Sequence, residues 1–186
     1  MAVFLSAWTL SYFFIPEGVL RGRLVGQVLA ENGLAGGSVW LEWLRIFAIN
    51  LGVMLLLAVA PNVFRTEGGY PFGYSLVTLL AVVCGITLGT NSFTFSLGGK
   101  IPPTVAIFGS SGLYEITAYV LAAAATTSIS KYHLVGKWPK QTIAAIVPPQ
   151  AESVIQERYA GILLAITILL IACGWEAYRI SLAIAP

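Results

Sequence analysis

Aspartate is absent from this 186-residue chain, histidine occurs once and cysteine twice, and charged residues make up only 10% of the whole. A soluble domain carries roughly 25% charged residues. Hydrophobic residues reach 58%, and the mean hydropathy is +0.85. A chain of this kind has lipid as its main solvent. The net charge of +2 is too small to suggest nucleic acid as a partner. Cys84 and Cys173 both fall in apolar runs, far apart, with no metal spacing. A single histidine, His133, cannot give a bis-histidine haem, and no Cys-x-x-Cys-His occurs. There is no Walker motif, dinucleotide loop, metal cluster or nucleophile triad. Gly109-Ser-Ser-Gly is not a nucleophile elbow, because no histidine lies nearby as a base. These absences point away from an enzyme. The N-terminus lacks a basic region and a small-residue cleavage site, so a removed signal peptide is not expected.

What is present is a series of apolar stretches. A membrane span needs about 20 mostly apolar residues. Four stretches qualify: Ile46 to Phe64, Gly73 to Leu97, Thr104 to Ser130, and Tyr159 to Tyr178, extendable to Ile184. Ala2 to Ile15 is shorter and uncharged, and is either a fifth span or a membrane-dipping helix. Trp40, Trp43, Tyr70, Tyr74, Tyr132, Trp138, Tyr159 and Trp175 mark the edges, as interfacial aromatics do. In the connection from Glu17 to Arg45, Leu20, Leu24, Val28 and Ala35 can line one face, which predicts an interfacial amphipathic helix ended by Asn32-Gly33. The expected fold is all-α: one membrane domain over residues 1–186, a polytopic bundle of about five membrane helices with that interfacial helix.

Lysine and arginine do not fix the orientation. One crossing per stretch puts Arg21, Arg23, Arg45, Lys100 and Arg179 on one side, and Arg65, Lys131, Lys137, Lys140 and Arg158 on the other. The positive-inside rule needs an imbalance. If Ile101 to Ser130 instead folds back at Gly109-Ser110-Ser111-Gly112, both long basic connections lie on one side. Such a re-entrant segment needs shielding by protein or water.

Glu115 is the most informative residue. A carboxylate near hydrocarbon is costly and usually faces a bundle interior or a wet cavity. Ser111, Glu115, Ala118, Tyr119, Ala122 and Thr126 follow three- and four-residue steps and share a helix face. Glu115 there is either a proton or substrate site or a polar clamp between helices. Asn50 and Asn91 join Ser111 and Glu115 as a candidate intramembrane polar cluster. Gly109 and Gly112 mark a helix break, and Gly85 and Gly89 form a small-xxx-small pair for close packing. His133, at a span edge, is a solvated interfacial residue, a pH sensor or the ligand of a single pigment. No other cofactor is implied, and lipid contacts are expected.

Ser110-Ser111-Gly112-Leu113-Tyr114-Glu115 resembles a motif of the stage II sporulation protein M-like family. Members carry Pro-His-Gly, two residues and then Glu in a late span. Gly112 and Glu115 match, while Ser110 and Ser111 stand where Pro and His are expected. Arg45-Ile-Phe-Ala-Ile-Asn50 is similar to the family's early Asn, and Gly85 to Asn91 to its Gly-rich third span. The likeness runs from about Ile46 to Ile184. It implies about five membrane helices, no known cofactor and a membrane-remodelling or assembly role with protein partners. The expectation is a non-enzymatic, multi-pass protein of a bacterial inner membrane, cytoplasmic or intracytoplasmic. It would act as a scaffold subunit beside lipids and other subunits, or as a homo-oligomer. The rivals are a transporter component with Glu115 in the substrate or proton path, and an accessory subunit of a photosynthetic or respiratory complex.

Overall fold

The computed structural model describes residues 1–23, 38–66, 68–93, 98–136, 140–145 and 153–184. It is mostly helical, and three of its helices are long and apolar enough to cross a membrane: Val39–Val63, Phe72–Gly89 and Gln156–Leu182. Contacts divide the chain into two compact units. One holds Met1–Ser38 and Thr78–Gly109, the other Val39–Val77 and Ser110–Pro186.

In the first unit, α1 (Ala2–Phe14) spans about 20 Å at 1.5 Å per residue, shorter than a hydrocarbon core. It ends because Pro16 disfavours helix at the residue before it, and Ile15 is extended. The C-terminal part of α3 (Phe72–Gly89) packs on it. Gly85 lies so close that a Cβ would stand 2.7 Å from Phe4 O and 3.0 Å from Ala7 Cβ. A Cβ at Gly89 would collide with Ser11 Oγ and Trp8 O. The absence of side chains at these two positions lets the backbones approach.

The end of α3 is a Schellman motif. Asn91 takes the left-handed conformation (φ 49°), its N–H donates to Leu88 O at 3.3 Å, and Ser92 N–H donates to Thr87 O at 2.9 Å. Residues Glu17 to Arg23 wrap this end as turns, with Gly18 N donating to Thr90 O and Arg21 Nη2 to Asn91 O, both at 2.7 Å. The interfacial helix expected from Glu17 onward is therefore absent over its first seven residues. The hydrogen bonds of Glu17, Gly18 and Arg21 are taken by the end of α3 instead. The rest of that expected helix, through Leu24, Val28 and Asn32-Gly33, lies outside the described residues.

In the second unit, α2 (Val39–Val53) continues as a π-helical stretch over Met54–Val59 and a 3-10 turn over Ala60–Val63. Pro61 explains the change of pitch. It has no N–H, and its ring clashes with the carbonyl four residues back, so the helix widens ahead of it. Asn62 follows, fully buried. Its Nδ2 donates to Ala123 O at 2.7 Å and to Thr126 Oγ1 at 2.8 Å, and its Oδ1 accepts from Gly73 N at 2.9 Å. One side chain thus satisfies a carbonyl at the end of α4 (Ser111–Ala125) and an amide at the start of α3.

Helix α4 lies antiparallel to α5 (Ser153–Ile184). Ser111 faces Glu176 at one end, and Gly161 meets Ala125 at the other. The structure adds a small sheet that an all-α reading omits. Its strands are β1 (Phe64–Arg65), β2 (Tyr132–Val135) and β3 (Thr142–Ala145), in the order β1-β2-β3. β1 pairs parallel with β2 (Arg65 opposite His133), and β2 pairs antiparallel with β3. These strands were hidden in sequence by their brevity and their place between longer apolar runs. β1 and β2 follow the C-terminal ends of α2 with its extension and of α4, so both ends meet at the sheet. Residues Ser111 to Ile129 therefore run one way along this unit.

Candidate functional site

Helix α4 begins at Ser111 because Ser110 is extended (φ −99°, ψ 141°) and serves as the N-cap residue. Before it, Val105–Gly109 is a separate 3-10 turn. Gly109 and Gly112 therefore flank a helix start rather than a kink within one long span. Four-residue steps then place Ser111, Glu115 and Tyr119 in a row on the α4 face. Opposite them, α5 presents Cys173 and Glu176 one turn apart.

These side chains form a polar track in the second unit. Ser111 Oγ donates to Glu176 Oε2 at 3.4 Å, and the carboxyl of Glu115, one turn along α4, lies beside that of Glu176. Further along, Tyr119 Oη donates to Asn50 Oδ1 at 2.6 Å, and Asn50 Nδ2 donates to Cys173 Sγ at 3.7 Å. The walls are apolar: Ile116, Ala118, Leu169, Ala172 and Ala177 are all buried. Glu115 Oε1 is itself buried and has no hydrogen-bond partner among the described residues.

Two carboxyl groups can share a hydrogen bond only if one of them carries a proton. Two ionised carboxylates side by side in an apolar wall repel each other and lose their hydration. The arrangement is thus suited to holding one proton between two acids, with Glu115 Oε1 open to a further donor. Groups of three or more His, Cys, Asp or Glu able to hold a metal are absent among the described residues.

Of the residues singled out from sequence, the structure brings Ser111, Glu115 and Asn50 into this one track. Asn91 is elsewhere, in the first unit, where its Nδ2 donates to Glu17 Oε1 at 2.8 Å. Gly85 and Gly89 face α1 in the same first unit. His133 lies in β2, half-buried, opposite Arg65. Sequence reasoning missed Glu176, the partner that gives Glu115 its setting. Its signal was there, a second lone carboxylate in an apolar run, but Trp175 beside it read as a span edge. It also left Cys173 as packing and gave Asn62 no role. Comparison with protein-family models, with curated proteins and with solved structures finds no match to this chain.

Proposed function

We propose that this chain is a multi-pass membrane protein that works as a proton-linked component of a transport assembly, with Glu115 and Glu176 as its proton-exchange site. The observation that carries this reading is the pair of neighbouring carboxyl groups, Glu176 held by Ser111 and Glu115 with a buried, unpartnered Oε1, near the start of a short helix in an apolar helical unit. Intramembrane carboxylates at helix breaks are recurrent features of proton and substrate paths. The helices that cross the bilayer are α2 with its extension, α3 and α5; α1 and α4 are shorter. No covalent chemistry is assigned to it. We place it in a bacterial inner membrane.

The test is flux in proteoliposomes. Wild-type protein dissipates an imposed pH gradient, whereas Glu115→Gln and Glu176→Gln each slow dissipation by roughly tenfold or more, because neither amide can accept the shared proton. Equal rates in all three proteins would remove the reading.

A second reading is a scaffold subunit of a larger membrane complex, as the resemblance to the sporulation family implies. It is favoured by how little stands outside the helices: among the described residues, the regular structure there is one three-stranded sheet. Such a chain acts mainly through its neighbours in the bilayer. Mild extraction followed by native electrophoresis and mass spectrometry separates the readings. Stoichiometric co-migration with other subunits, together with unchanged flux in Glu115→Gln, selects the scaffold.

A further inference from the structure

The small sheet has two unlike faces. Side chains alternate along a strand, and paired residues share a face. Phe64, Tyr132, Leu134, Ile143 and Ala145 fall on one face. The Phe64 and Tyr132 rings stand 5.6 Å apart, and Ile143 is 63% exposed. Arg65 and His133 fall on the other face. Lys131 joins them, because its N–H donates to Val63 O at 2.8 Å and keeps the strand register one residue further. Arg65 Nη2 is engaged by Thr127 O at 2.8 Å, but its Nε is buried with no partner among the described residues. Lys131 and Lys140 are exposed. Across the connections 64–71 and 131–150 the sequence has Arg65, Lys131, Lys137 and Lys140 against Glu67 alone.

We propose that this sheet is an interfacial platform for an anionic phospholipid. Its headgroup phosphate is held by Arg65 and Lys131 beside His133, and the aromatic and aliphatic face lies against neighbouring acyl chains. The charge fits, because clustered cations next to a span attract anionic headgroups. The apolar face fits, because aromatic rings settle at headgroup level. An exposed isoleucine on a three-stranded sheet is costly in water and favourable against lipid. The proposal also gives the sheet's side of the membrane an identity, the leaflet richer in anionic lipid. It does not depend on the proton-exchange reading.

The test uses the full chain in lipid nanodiscs of phosphatidylcholine with a minor share of phosphatidylglycerol. Native mass spectrometry then counts the lipid retained on the released protein. The expected result is phosphatidylglycerol retained well above its share. Lys131→Gln should lower that retention by roughly fivefold, the effect of about one cation near the surface. Lys131 is exposed, so its variant keeps the fold, which an unchanged melting temperature verifies. Arg65→Gln, which also loses the bond to Thr127, should lower retention further. Arg23→Gln, in the first unit, should leave it unchanged. Retention that matches the bulk lipid share would overturn the proposal. So would undiminished retention in Lys131→Gln, or an equal loss in Arg23→Gln.

Discussion

At the scale of single residues, polar side chains in an apolar protein are the ones with assigned work, and Asn62 shows how much one can carry. It satisfies groups at two helix ends and sits fully buried. Asn62→Leu leaves Gly73 N–H without its partner and removes both donations to α4. We expect a loss of about 2–3 kcal/mol, read as a lower melting temperature in detergent. A melting temperature within error of wild type would mean that water or a neighbour replaces the amide. Cys173 is a second case. Its thiol is buried and accepts from Asn50 Nδ2, so N-ethylmaleimide should leave it unmodified in the folded protein and label it after unfolding. Rapid labelling of Cys173 in the folded state would show an open track. Glu115 was legible in sequence because a carboxylate in an apolar run stands out. Glu176 was not, because its neighbours Trp175 and Arg179 resemble a span edge.

At the scale of elements, apolar length located the long helices well. Ile46 to Val63 and Tyr159 to Tyr178 fall inside helical segments of 25 and 27 residues, and Phe64 begins β1. The structure begins the first seven residues earlier, at Val39, and extends the second at both ends. Length misled where glycine and serine interrupt the run. Thr104 to Ser130 reads as one span, yet it is a 3-10 turn, a 15-residue helix and another 3-10 turn. Phe72–Gly89 stops eight residues before the expected Leu97, because Asn91 accepts the left-handed conformation that ends a helix. The strands were invisible for a different reason. β1 is two residues long, and its partner is far away in sequence, so no local pattern announces it. The contact of α1 with α3 makes a prediction at this scale. Gly85→Leu forces a side chain into the space held by Phe4 O and Ala7 Cβ, and overpacking of this kind costs about 1–3 kcal/mol. The expected readout is faster proteolysis of the N-terminal segment in Gly85→Leu than in wild type. Equal digestion would mean that α1 is held by other contacts.

At the scale of the whole molecule, composition points to lipid as the main solvent, and three helices have the length and apolarity to cross a membrane. The proposed activity was less legible, because it rests on two carboxyl groups 61 residues apart in sequence meeting across an antiparallel helix pair. The proposed proton exchange stands or falls with that meeting. Infrared difference spectroscopy across a pH titration of the purified protein in lipid tests it most directly. The expected result is a protonated-carboxyl band that shifts in deuterium oxide and is altered or lost in both Glu115→Gln and Glu176→Gln, since the proton belongs to the pair. A band that is absent in wild type, or that one substitution removes and the other leaves untouched, would contradict it.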